Sequence, residues 1–207
     1  MTTATAQGTF NPANHEYRIG DTVLDHATGV LRDLGFYYEG PMERKDGLPA
    51  FAVGIAAHKA LEYYAQCRLD LSSVDSRIKG YVESGARWID KYVVKVHSAE
   101  ERFYHPTYLL GMQLDLRCKT RLSDRDLIVD HTVSAAAPAK RFQLGCYQIA
   151  YPDHDTGVLC LRPDGEIAKW VHCRNPNDTA LFLSMLNTVR TLRAMNIKLQ
   201  RRHDGNQ

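Results

Sequence analysis

The hydrophobic period changes twice along the chain, and this constrains the fold more than any other feature. Up to about residue 93 the apolar residues recur at helical spacing. Val23, Leu24, Ala27, Val30, Leu31 and Leu34 predict a helix over 22–34, stopped at Gly35. A loop from Tyr37 to Pro49 follows, then a helix over 51–66 with His58 and Glu62 on its polar face. Ser72 and Asp75 read as a capping box that opens a third helix to about Tyr92. Residues 101–105, 108–119 and 126–133 then alternate in strand fashion. Helical spacing returns over 139–151. Strands at 157–162 and 166–173 flank the Pro163-Asp164-Gly165 turn, and Asn177-Asp178 caps a last helix to about Leu199. This order predicts one α/β (α+β) domain, a mixed central β-sheet flanked by helices. Residues 1–14 are expected as a disordered tail, 15–199 as the domain, and 200–207 as a frayed end.

Composition narrows the function classes. Twenty-six Lys+Arg against 24 Asp+Glu leave +2, which excludes a strongly basic coat protein and an acidic mimic of DNA. No run reaches the roughly 18–20 apolar residues of a membrane span, and no secretory signal pattern is visible. The expectation is a cytoplasmic protein with no membrane attachment. Cys67, Cys118, Cys146, Cys160 and Cys173 are odd in number, with no CxxC pair, and read as free thiols.

Two aspartates carry the chemistry. Asp115 and Asp130 each sit inside or at the end of an apolar strand, on strands joined by the Ser123–Asp126 turn. A carboxylate there is costly unless it is paired or coordinates something. Two brought together favour a divalent cation, which removes their repulsion. Pairing with Arg117 and Lys119 is the plainer alternative.

The motifs stand in a recognisable order. They are His15-Glu-Tyr-Arg-Ile-Gly20; Gly54-Ile-Ala-Ala-His58-Lys-Ala-Leu-Glu62; Glu100-Glu101 in a strand; Gly111-Met-Gln-Leu-Asp115; Leu127-Ile-Val-Asp130-His-Thr132; and Arg141-Phe-Gln143-Leu-Gly-Cys-Tyr147. From His15 to about Arg193 the chain resembles the RecB-type and phage exonucleases of the PD-(D/E)XK nuclease superfamily. The resemblance implies a restriction-endonuclease-like core and Mg²⁺- or Mn²⁺-dependent DNA hydrolysis. It implies Asp115 and Asp130 as principal metal ligands, with His58 as ligand or phosphate contact. It makes either Glu100 or Glu101 a support, since alternation lets only one face the site. It makes Gln143, Tyr147 and Arg141 substrate-side groups.

One departure is conspicuous. The superfamily's D-x-K lysine falls on Thr132, and the threonine of its G-T-x-D motif is Gln113. Thr132 cannot replace a cation that offsets charge on the reacting phosphate. Lys119 and Lys140 are the candidate replacements. Arg190, Arg193, Lys198, Arg201 and Arg202 form a basic cluster that could meet phosphates. Two functions follow. One is an active DNA nuclease. The other is an inactive nuclease-fold protein that binds DNA or a protein partner, such as a recombination or host-defence component, in a bacterial or phage-infected cell.

Overall fold

The computed structural model describes residues 5–36, 50–173 and 175–197. The chain opens with a small meander: β1 (Thr9–Asn11), β2 (Glu16–Ile19) and β3 (Thr22–His26). Then come α1 (Ala27–Asp33), α2 (Ala50–Ala65) and α3 (Ser76–Tyr92), the last two separated by a 3-10 turn at Leu71–Ser73. β4 (Val93–His105), β5 (Leu110–Thr120) and β6 (Asp126–Thr132) form the second meander. α4 (Lys140–Tyr147), β7 (Asp155–Cys160), β8 (Lys169–His172) and α5 (Asp178–Ala194) complete the fold. The strands form one mixed sheet in the order β1-β2-β3-β5-β6-β7-β8, with β4 added on β5.

The expected α/β class is therefore the observed one, with local corrections. The 22–34 helix divides into β3 and α1, because residues 22–26 pair with β2 and β5. His26 sits at the junction and caps α1, its Nδ1 accepting from Gly29 N at 3.3 Å. Part of the expected N-terminal tail is β1, paired with β2. Asp75, not Ser72, caps α3 by accepting from Arg77 N. β4 starts at Val93, directly after α3, because its polar first half pairs with β5. Asn177 precedes α5 but makes no side-chain cap bond. The Tyr37–Pro49 loop, residues 1–4 and the expected frayed end lie outside the described residues.

Two cores sandwich the sheet. Val53, Ala57 and Leu61 of α2 and Val82 and Trp88 of α3 pack with Leu116, Cys118, Leu127 and Val129. On the other side, Val30 of α1, Leu144 of α4 and Phe182 and Leu186 of α5 pack with Met112, Leu114 and Ile128. Gly145 is where α4 meets α5: a Cβ there would lie 2.7 Å from the Asp178 backbone.

The cores reveal a switch in β5. Met112 and Leu114 belong to one core, while Leu116 and Cys118, of the same parity, belong to the other. Strict strand alternation would put all four on one face. β4 changes sides at the same level, from Phe103 to Ala99. Between them lies Glu100, with φ of 53°, a left-handed conformation unusual for glutamate. The neighbouring pairs Glu101–Leu114 and Ala99–Leu116 set Glu100 beside Asp115. The other edge of β5 is interrupted at the same place. Its pairing with β3 ends at Gly111 and its pairing with β6 begins at Leu116. Asp115 lies at the mouth of this gap.

Candidate metal centre

Three side chains converge at the gap. Asp115 reaches it from β5, His131 from β6, and His58 from α2, three residues before buried Leu61. His58 Nδ1 lies 3.3 Å and His131 Nδ1 3.9 Å from Asp115 Oδ2. One ligand atom from each residue falls within 4.8 Å of the others. Metal–ligand bonds near 2.1 Å place adjacent ligand atoms about 3.0–3.5 Å apart, so the cluster nearly has the required dimensions. The His131 backbone N–H donates to Asp115 Oδ2 at 2.7 Å, filling the place a ladder bond would take. His131 is 3% exposed, yet neither of its ring nitrogens has a hydrogen-bond partner among the described residues. Buried imidazole nitrogens normally find partners, and coordination to a metal would satisfy one of these.

The electrostatics suit a cation, which would replace the proton that Asp115 holds on His58. Burial disfavours a charged His58, but the Asp115 carboxylate, helped by Asp130 and Glu100, overrides it and raises the imidazole to about 9. Burial would likewise raise Asp115, but His58 and the His131 N–H hold its carboxyl well below the usual range. Burial lowers His131 to about 4, so it is neutral and able to ligate at pH 7. Burial, then the Asp115 charge, raises Glu100 to about 7.

The other expected site residues separate into groups. Glu100, not Glu101, accompanies Asp115, accepting a hydrogen bond from Gln113. Glu101 faces away, accepting from Ser98, from Arg117 at 3.0 Å and from Tyr151 at 2.5 Å. The left-handed Glu100 decides which of the pair turns in. Asp130 is absent from the three-residue cluster. It is 1% exposed and pairs with Lys140, Nζ to Oδ2 at 2.6 Å. Burial raises its carboxyl despite Lys140, and Asp115 adds to the rise. The two aspartates thus sense each other, but Asp130 takes a lysine where a shared cation was expected. By alternation along β6, Asp130 points to the α4 side, while His131 points to the α2 side.

Lys140 stands beside Asp130; Lys119 does not. Lys119 donates to the Asp124 carbonyl at the far end of the hairpin. Gln143 Nε2 donates to Tyr147 Oη at 2.7 Å, both buried, and the charges of Asp130 and Asp115 add to the burial that holds the Tyr147 phenol protonated. Arg141 instead clamps Asp178 at the start of α5, at 2.6 Å. His58 does not pair with Glu62, which binds Lys59 at 2.5 Å. Of the basic cluster, Arg190 and Arg193 are tied to Asp25, and Arg193 also to Asp33. Lys198, Arg201 and Arg202 lie outside the described residues. All five cysteines are free thiols. Among the described residues no helix is long and apolar enough to cross a membrane.

His131 went unnoticed in the sequence because it stands between the two positions of interest. Its signal was a histidine in a strand otherwise built to be buried.

No protein-family model and no curated protein matches the sequence. A solved structure described as "Crystal structure of SSO0001" is similar at a TM-score of 0.45 and 11% identity, over 85% of this chain and 79% of that one.

Proposed function

We propose that the chain is a metal-dependent deoxyribonuclease whose missing strand lysine is replaced by Lys140. The observation that carries this reading is the Lys140–Asp130 contact of 2.6 Å. It sets a cation beside the motif carboxylate, on the element that follows the motif strand. His58, Asp115 and His131 would hold the metal. Two imidazoles and one carboxylate suit Mn²⁺ better than Mg²⁺, which prefers an all-oxygen shell. The bound cation would polarise a phosphate oxygen and lower the pKa of water.

The chain's own groups supply the rest. Lys140, whose charge is felt at His131 although its partner Asp130 points to the other side of β6, would offset negative charge on the phosphate, the role Thr132 cannot fill. Glu100, raised to about 7, can take up or release a proton on its carboxyl oxygen near neutral pH. Gln143 and Tyr147 form a rigid pair that lines the α4 side. DNA is the substrate in this reading, and the site of action is the DNA-containing cytoplasm of a bacterial or phage-infected cell.

The test is cleavage of end-labelled linear duplex and single-stranded DNA with Mn²⁺, with Mg²⁺ and with chelator. Cleavage is expected with Mn²⁺, less with Mg²⁺, and none with chelator. Protein that binds Mn²⁺ by calorimetry but cuts neither DNA would replace this reading with that of a non-cutting scaffold.

A further inference from the structure

A concave site separate from the metal centre lies on the α4–α5 side of the sheet. The β4–β5 turn, the C-terminal end of α4 and the segment before α5 border an open cavity of about 560 Å³, a volume that suits a small molecule. His105, the last residue of β4, lines it and is only 4% exposed. Its Nδ1 accepts from Tyr108 N at 3.1 Å, which puts the ring proton on Nε2. Burial lowers the imidazole, so the ring is neutral at pH 7. Nε2 has no hydrogen-bond partner among the described residues. A buried donor normally finds one, and this donor has only the cavity to supply it.

The rest of the wall is fixed in advance. Asn175 Oδ1 accepts from Asn177 N at 3.0 Å, which orients the amide and leaves its Nδ2 as a donor. Gln148 Nε2 donates to the His154 carbonyl at 3.1 Å, which leaves Oε1 as an acceptor. The Tyr108 ring lies 4.6 Å from that of His105, tilted by 33°. Arg190 Nη2 holds the turn in place by donating to the Tyr108 and Leu109 carbonyls at 2.8 and 3.2 Å. Pro152, Pro176 and Leu183 add apolar surface. Among the described residues no Asp, Glu, Lys or Arg side chain lines the cavity.

We infer that this cavity binds a nucleobase. Its occupant is uncharged, because a phosphate or carboxylate would find no cation there. It carries an acceptor for His105 Nε2–H and Asn175 Nδ2, and a donor for Gln148 Oε1. Its faces are flat and apolar, to lie against Tyr108 and the prolines. A nucleobase meets all three conditions, with donors and acceptors on its edge and a π-face on either side. The base belongs either to a free nucleoside or to a DNA strand. Gln148 caps the C-terminus of α4, eight residues from Lys140 and roughly 12 Å along the helix, so a strand held at Lys140 has the cavity nearby. Only the strand as source touches the nuclease reading, and binding without metal tests it apart from cleavage.

Adenosine, guanosine, cytidine and thymidine are titrated by calorimetry into the full-length protein in chelator. Single-stranded oligonucleotides with and without an abasic position are titrated in parallel. Saturable nucleoside binding identifies the free nucleoside as the source. Oligonucleotide binding that an abasic position weakens, without nucleoside binding, identifies a base of the strand. In either case His105→Phe, which keeps a ring beside Tyr108 but removes the donor, should weaken binding about tenfold. Leu183→Trp, which fills the cavity, should abolish the base-dependent binding. If neither variant folds, the wild-type His105 Nε2 resonance decides, and it should shift as the ligand saturates. Absence of both nucleoside binding and an abasic effect would overturn the site, as would binding that leaves His105 unmoved or survives Leu183→Trp.

Discussion

The Lys140 ammonium lies 2.6 Å from Asp130 Oδ2, joining the first residue of α4 to the buried end of β6. Thr132, two residues beyond Asp130, bonds instead to Ser134, Oγ1 to Oγ at 3.0 Å, and helps turn the chain out of the strand. Thr132 closes β6, and the Lys140 ammonium that meets Asp130 stands eight residues further along the chain.

The two adjacent glutamates should separate cleanly. Glu100→Gln removes a carboxylate beside Asp115 and should weaken Mn²⁺ binding about tenfold, the lower end for a group supporting ligands. Glu101→Gln removes charge-assisted bonds to Arg117 and Tyr151, and should cost about 1–3 kcal/mol of stability with metal affinity unchanged. Calorimetry with Mn²⁺ and urea unfolding of both variants provide the comparison. Equal effects on metal binding would show that the left-handed Glu100 does not select which carboxylate faces the site.

These glutamates also mark how far the sequence could be read. Asp115 and Asp130 stood out because apolar strands make a carboxylate expensive. Which glutamate turned in did not, because a positive φ at Glu100 breaks the alternation on which such readings rest. The residues of β3 were legible as apolar but not as a strand, since Val23, Leu24 and Ala27 fit a helical face equally well. Tertiary pairing with β2 and β5 decided it. The Lys140 contact depends on how the 133–139 connection folds back, which local patterning does not encode.

Acid should weaken the fold through His26. Burial, followed by the charges of His15 and Arg32, lowers its imidazole from 6.5 to about 4. The native neutral ring uses Nδ1 as the acceptor for α1. Above pH 6.5 both folded and unfolded rings are neutral and the stability is fully present. Between 6.5 and about 4 only the unfolded ring takes a proton, so stability falls by up to about 1.4 kcal/mol per pH unit. His26→Asn keeps a capping acceptor without a titrating ring. From pH 7 to pH 5 it should lose about 1–2 kcal/mol less than wild type in urea unfolding. Equal losses would remove His26 from the explanation.

Gly145→Ala should destabilise the α4–α5 contact. The added methyl would sit 2.7 Å from the Asp178 carbonyl, in the backbone of the neighbouring helix. The helices must part or the chain must shift, at a cost of about 1–3 kcal/mol. Because α4 carries Lys140, cleavage should fall along with the unfolding temperature. A variant as stable as wild type would mean the helices have slack the packing does not suggest.

The most direct measurement is the Mn²⁺-dependent cleavage rate of linear DNA by wild type, Lys140→Ala, Lys119→Ala and the double variant Lys140→Ala/Thr132→Lys. Removing one charge-stabilising group from a buried site typically costs about 10²–10³ in rate. Lys140→Ala should fall by that amount, Lys119→Ala should stay within about twofold of wild type, and the double variant should recover part of the loss. Wild-type rates from Lys140→Ala, or a rate that collapses in Lys119→Ala, would contradict the assignment of the displaced lysine.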